Sequence, residues 1–359
     1  MPDITIQDVA RAAGVSAASV SNLLNGRVDR MRSQTRQRIE TVIAELGYRP
    51  NPIARQLKTG HASTLGLLVP TVTNPIFGEL TAAIEGFART RGYHVILCNT
   101  LRDAGRESEF AEHVLDLGVR GLITAAASDD PHLVQTLVAR GLSIVHFDVR
   151  LGDVPPIGVD VVSIDNAPAS YLATTHLADL GHRLIAYVTA PVTMPNRVAR
   201  LQGYRQALQD RGLGKGIVWP GPEAADTVDL GDLALGPLGR QAALQLAAMN
   251  PRPTAIVAVN DLIALGILCG LREAGLKVPG DMSVVGINDI NVAALANLST
   301  VRLPLGQMAE VAVTRLLERL ADPGRPSSER VFAPELVQRA TSAPPGSAGW
   351  PLPRVPCAP

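Results

Sequence analysis

Two hydrophobic periods divide the chain. Ile6, Val9 and Ala10 fall at i, i+3 and i+4, which predicts a short helix after Thr5, a good N-cap. Gly14 breaks that pattern. Ser16 can cap a second helix, Ala17 to Leu24, with Val20, Leu23 and Leu24 on its apolar face and the turn pair Asn25-Gly26 at its end. A third helix is expected over Gln34 to Leu46, with Ile39, Val42, Ile43 and Leu46 inward and a stop at Gly47; Arg32 stands where a small cap residue is usual, leaving Ser33 as substitute. From Thr64 onward the pattern changes to apolar runs rich in Val and Ile: Leu65 to Val69, Tyr93 to Cys98, Gly121 to Ala125, Ser143 to Phe147, Val161 to Ile164, Leu184 to Val188, Ala255 to Val259 and Ser283 to Ile287. Helical patterns lie between most of them, so parallel sheets buried on both faces, with right-handed crossovers, are expected.

About 280 residues of such repetition exceed one comfortable core, and two lobes follow. The expected organisation is an all-α helix-turn-helix head at 1–47, a linker at 48–62, an α/β core of two parallel-sheet lobes at 63–342, and a Pro/Gly-rich disordered tail at 343–359. The first lobe is drawn at 63–161 and 291–321, with a returning helix Gln307 to Leu320, and the second at 162–290 and 322–342.

Composition narrows the function classes. With 46% hydrophobic and 18% charged residues, the 359-residue chain is neither wholly disordered nor a uniformly basic nucleic-acid binder. The zero net charge hides an asymmetry: residues 1–60 hold nine Lys/Arg against five acids, a net of +4, so the remainder carries −4. A basic head on a mildly acidic body fits a polyanion-binding module joined to a domain with another task. Cys98, Cys269 and Cys357 are too scattered for a disulfide framework or a zinc site. The first residues lack an apolar signal region, and the most apolar stretch, Thr254 to Leu271, is interrupted by Asn260 and Asp261. A cytoplasmic protein without membrane partner, metal or cofactor is expected. No GxSxG, GxxxxGK[ST] or HExxH pattern occurs, and Gly212, Gly214 and Gly216 read as turn residues, so catalysis is not expected.

Small Ala10 permits close helix crossing, Gly14 supplies the turn, and Val20 fills the crevice between helices, which is the chemistry of a helix-turn-helix. Thr5, Ser16, Ala17, Ala18, Ser19, Ser21, Asn22 and Asn25 are the candidate DNA contacts of the head. The alternative is a three-helix bundle that touches no nucleic acid. TIQDVARAAGVSAASVSNLLNG and TRQRIETVIAELGYRPNPIARQLKTG resemble the DNA-binding head of the lactose-repressor (LacI/GalR) family of transcription regulators. The resemblance continues through LGLLVPTVTNPIFGEL, HLADLGHRLIAYV, PTAIVAVNDLIALG, VPGDMSVVGINDI and PELVQRATS, about residues 3–342. It implies a repressor acting as a homodimer on a near-palindromic operator, with a core like that of periplasmic sugar-binding proteins. It also implies that residues 48–60 fold as a hinge helix over DNA, with Leu57 wedged into the minor groove and Arg55 and Lys58 at phosphates. A plain linker with Leu57 packed on the body is the competing reading. Relatives usually carry Arg where this chain has Asn22; Asn can hold adenine N6 and N7 in a bidentate pair, or bond only a phosphate.

Ligands of open α/β sheets sit beyond the carboxyl ends of strands. Thr73, Phe77, Asp148, Arg150, Asn260 and Asn288 follow strands here, and Arg200 in RVARLQGY matches a family position that often bonds the effector. Together they suit a small polar metabolite such as a sugar. Arg150 and Arg200 have a second reading as surface ion-pair partners, and Asp261 reads as an N-cap. Asn288 and Leu233 stand where many relatives place Asp and an aromatic, which puts an ordinary sugar in doubt. His176 and His182 read as structural. A solute-binding protein of a transporter is the alternative function, opposed by the head and the missing signal segment; a sugar-processing enzyme is a third.

Overall fold

The computed structural model describes residues 4–24, 28, 31–48, 63–125, 131–148, 158–192, 194–221 and 231–347. It separates into two compact units, residues 1–63 and 64–359.

In the first unit, α1 (Ile6–Ala12), α2 (Ala17–Leu24) and α3 (Ser33–Leu46) enclose Val9, Ala10, Ala13, Val20 and Ile39. Thr5 and Asp8 form a capping box: the Asp8 amide donates to Thr5 Oγ1 at 3.3 Å and the Thr5 amide donates to Asp8 Oδ2 at 3.0 Å. Gly14 turns the chain at φ +59°, a conformation that a side chain would strain, and Ser16 Oγ accepts the Ser19 amide at 3.2 Å as the α2 cap. Ser33 does not act as the substitute cap. It is the first helical residue of α3, and Arg32 occupies the N-cap position without a side-chain bond. Gly47, at φ +62°, ends α3 as its sequence suggests.

Among the described residues the second unit has two six-stranded sheets. The first sheet is parallel, in the order β11-β5-β4-β3-β1-β2, built from β1 (Thr64–Val69), β2 (His94–Asn99), β3 (Gly121–Thr124), β4 (Ser143–Phe147), β5 (Val159–Ile164) and β11 (Glu329–Phe332). Helices α4 (Pro75–Thr90), α5 (Ala104–Asp116) and α6 (Pro131–Ala139) connect its first four strands. The second sheet, in the order β12-β10-β9-β8-β6-β7, contains β6 (Ile185–Val188), β7 (Ile217–Trp219), β8 (Ala255–Ala258), β9 (Ser283–Asn288), β10 (Ser299–Arg302) and β12 (Glu335–Val337). It carries α7 (Asn166–Asp179), α8 (Pro195–Asp210), α9 (Leu235–Ala247) and α10 (Asp261–Glu273), with the short α11 (Asn291–Leu295) before β10. The long α12 (Leu305–Ala321) returns to pack on α4 and on β3, β4 and β5.

Pairing moves the expected lobe boundaries. All of β5 lies in the first sheet, β10 joins the second, and β11 returns to the first edge before β12 closes the second antiparallel to β10. The crossings thus fall after 164, after 302 and between 332 and 335, because backbone pairing, not apolar runs, decides where short polar strands such as ERVF belong. β2 departs from burial on both faces: it is an edge strand, with Ile96 37% and Leu97 39% exposed. The expected tail begins ordered, since the Ala343 amide donates to Ser283 Oγ at 3.1 Å and its carbonyl lies 2.9 Å from His182 Nε2.

Close helix contact fixes the second lobe. A Cβ on Gly203 of α8 would stand 1.9 Å from the Ala167 carbonyl oxygen, and one on Gly266 of α10 would stand 2.0 Å from that of Gly236. Only hydrogen fits there, so these helices cross backbone to backbone. In the first lobe Asp160 and Arg319 are buried together: Arg319 Nε donates to Asp160 Oδ2 at 2.8 Å, while its other nitrogens bond the carbonyls of Arg325 and Pro326. The pair ties α12 to β5 and to the segment leading into β11.

Candidate functional site

The strand ends converge on a cavity with about 1110 Å³ of empty space, part of it open to solvent. Phe77, Phe147, Ile76 and Met308 give it apolar walls; Asp148, Arg200, Asn260 and Asn288 bring polar groups. Five of the expected effector residues therefore meet at one place. Thr73 does not: it is exposed, bonds Thr71 Oγ1 at 2.7 Å, and its neighbour Asn74 lines the cavity instead. Arg150 lies outside the described residues.

Arg200 is 5% exposed, so the surface ion-pair reading fails. Its Nε donates to Asn166 Oδ1 at 2.8 Å, and its Nη1 donates to the Val259 carbonyl at 2.7 Å and to Asn288 Oδ1 at 3.5 Å. One guanidinium thus sets the ends of β8 and β9 and the start of α7. Asp148 turns off β4 at φ +57° and accepts from Asn166 Nδ2 at 3.2 Å and the Ile164 amide at 3.4 Å. Burial pushes its carboxyl up to about 6, against the pull of the Arg200 charge. Asn288 adopts φ +133°, an unusual conformation for a residue with a side chain, at the cavity wall.

The cap of α10 is Asn260, whose Oδ1 accepts the Ile263 amide at 2.9 Å, leaving its amide nitrogen for the cavity. Asp261 is not the cap. It is fully buried as the first helical residue and accepts from Thr300 Oγ1 at 2.5 Å and the Ile290 amide at 2.9 Å. The sequence reading missed Asn74, Arg102, Asn196, Arg197 and Asp232, which also line the cavity. Asp232 accepts from Asn74 Nδ2 at 2.8 Å and from Arg102 Nη2 at 3.2 Å, joining the lobes across the cleft. Arg197 was accessible to reasoning: it lies three residues before Arg200 on one helix face. The Arg102–Asp232 pair joins residues 130 positions apart in sequence and has no local signal.

In the head, Ala17, Ala18 and Asn22 are exposed and Ser21 half-buried, a spacing that places all four on one side of α2, while Val20 faces the core. Ser16 and Ser19 hydroxyls bond each other at 3.0 Å, and the Thr5 hydroxyl is engaged with Asp8 at 2.6 Å. Asn25, Arg55, Leu57 and Lys58 lie outside the described residues.

Residues 5–51 match the model of the lacI family of bacterial regulatory proteins, and residues 174–342 match that of a periplasmic binding protein-like domain. The ribose operon repressor of Haemophilus influenzae is 31% identical over 338 residues, covering 93% of this chain and 97% of the relative. The chain belongs to the LacI family. The PurR repressor of Photobacterium profundum is also 31% identical, with the same two coverages. Among solved structures, a lac repressor dimer bound to operator and an anti-inducer has a TM-score of 0.79 at 25% identity, covering 95% of this chain and 99% of that one. The CelR regulator in complex with cellobiose has a TM-score of 0.67 at 28% identity, covering 94% and 100%. Among the described residues no helix is long and apolar enough to cross a membrane.

Proposed function

We propose that this LacI-family chain is a transcriptional repressor that binds a near-palindromic operator as a homodimer and is controlled by a small polar metabolite held in the cleft. The observation that carries the reading is the union, in one chain, of a helix-turn-helix exposing Ala17, Ala18 and Asn22 with a cavity where Asp148, Arg200, Asn260 and Asn288 converge. Two α2 helices would enter successive major grooves, about 34 to 36 Å apart, with Thr5, Ser16, Ser19 and Asn25 near the backbone and Asn22 at a base edge. Arg55, Leu57 and Lys58 would serve the minor groove between them. The exposed apolar residues of edge strand β2 support self-association, since an uncovered edge of that kind invites a partner.

A protein acting on the chromosome works in the cytoplasm, and its relatives act as repressors, which argues for binding without turnover. The effector acts only through different affinities for the DNA-competent and DNA-incompetent states. Genomic footprinting of the full-length protein tests the proposal: discrete two-fold-related sites are expected, and occupancy that tracks only DNA abundance at every effector condition would refute it.

A further inference from the structure

The cleft has more cationic groups than it neutralises. Arg102, Arg197 and Arg200 line the cavity against two carboxylates, Asp148 and Asp232. Asp232 is committed to Arg102 at 3.2 Å. Asp148 stands in the field of Arg200. Asp261, near Arg200, is held by Thr300 and Ile290. Arg197 is left, and among the described residues its one hydrogen bond runs from Nη1 to the Pro191 carbonyl at 3.0 Å. A guanidinium has five N–H donors, so most of its capacity is unspent. Burial first, then the neighbouring Arg102 charge, push Arg197 below the usual arginine range; the Asp232 carboxylate, already bonded to Arg102, pulls the other way without restoring it, so the cation is only partly compensated.

Two further features occupy the same spot. Arg197 lies in the first turn of α8, whose N-cap Met194 offers no side-chain bond, so the amides of that turn and the positive end of the helix dipole add to the guanidinium. Met194, Pro195, Asn196 and Arg197 all line the cavity. Among the described residues the Asn196 Oδ1 atom is buried without a hydrogen-bond partner, an acceptor awaiting a donor. A bare anion cannot supply that donor; a hydroxyl can.

We infer that the effector is a polyhydroxylated acid, a sugar-like skeleton bearing one carboxylate or phosphate, with its acidic group on Arg197 and the α8 N-terminus and its hydroxyls on Asn196, Asp148 and Asn260. The inference deepens the proposed function, resting on the cleft being the effector site. Asp232 keeps Arg102 occupied, so Arg197 is the residue that distinguishes an acid from its neutral parent. A charge-assisted bond in so enclosed a site favours the acid on the order of tenfold or more in dissociation constant.

The test is calorimetry and thermal shift on the full-length protein at fixed ionic strength, with three sets of probes: D-gluconate and D-glucuronate, D-glucose 6-phosphate and D-ribose 5-phosphate, and neutral D-glucose and D-ribose. At least one acidic set is expected to bind tighter than its neutral parent, and comparison of the two acidic sets separates carboxylate from phosphate. Arg197→Gln is expected to abolish that preference, and Arg197→Lys, which keeps the charge, to retain part of it; each variant's unliganded melting curve reports whether it is folded. Neutral sugars binding as tightly as their acids, with Arg197→Gln or Arg197→Lys unchanged, would overturn the inference and leave the effector-controlled reading intact. No binding by any probe, alongside discrete genomic footprints, would also overturn it. Loss of discrete footprints would instead strike the proposed function itself.

Discussion

Replacing His146 with Leu should remove an acid-sensitive weakness from the first lobe. His146 is 2% exposed on β4, on the same side as Ile144, and among the described residues neither ring nitrogen has a hydrogen-bond partner. Burial holds its pKa down at about 4, against 6.5 for an ordinary histidine. Between those values the unfolded chain takes up a proton that the folded chain refuses. Stability is therefore unaffected above pH 6.5 and lost as pH falls toward 4. Those two pKa values give a loss of about 2 kcal/mol between pH 7.5 and pH 5. Asp148 and Asp261 act in the opposite sense: burial raises both to about 6, so the folded chain takes up protons first and gains stability as pH falls through that value. Wild type and His146→Leu share both carboxyls, and the difference between the two proteins cancels their contribution.

The measurement is urea unfolding of wild type and His146→Leu at pH 7.5 and pH 5.0, following the transition of the α/β unit by circular dichroism. The variant should match or exceed wild type at pH 7.5, because two unsatisfied buried nitrogens are removed, and its advantage should grow by about 2 kcal/mol at pH 5.0. An advantage of the same size at both pH values would refute the argument, since it would mean that His146 is not held neutral by its surroundings.

Other consequences bear on the site. Asp232→Asn breaks the interlobe pair with the partly exposed Arg102, worth about 1 kcal/mol, and should give a wider solution scattering profile for unliganded protein; an unchanged profile would show that the lobes do not depend on this clasp. Wild type should show a step near pH 6 in effector affinity, falling on the acid side where the carboxyl gains its proton and accepts from hydroxyls only as a weaker neutral group, and Asp148→Asn should remove that step. Asn22→Arg should change the preferred base at one position of each half-site by about 1 to 3 kcal/mol in binding-site selection; an unchanged preference would reduce Asn22 to a phosphate contact. Leu57→Ala should weaken operator binding while leaving the melting curve of the α/β unit in place, and unchanged operator affinity would remove the wedge role.

Most of the head was legible because a helix announces itself within a dozen residues: the 3.6-residue spacing of Ile6, Val9 and Ala10, the Thr5 and Ser16 caps, and Gly14 and Gly47 at positive φ all have local causes. The apolar strands were legible for the same reason, and the strand-end rule then found Asp148, Asn260 and Asn288. Strands β10, β11 and β12 were not, because three or four mixed residues acquire strand character only from a neighbour far along the chain. Charge behaves like the short strands. An acidic residue near a cleft in sequence contributes a free negative group only if no distant partner claims it, and here Asp232 is claimed by Arg102 and Asn74, and Asp261 by Thr300 and Ile290. The balance of Lys/Arg and Asp/Glu over the whole chain says nothing of that local outcome. It is long-range pairing that takes acids out of play and leaves Arg197 to give the cavity its sign.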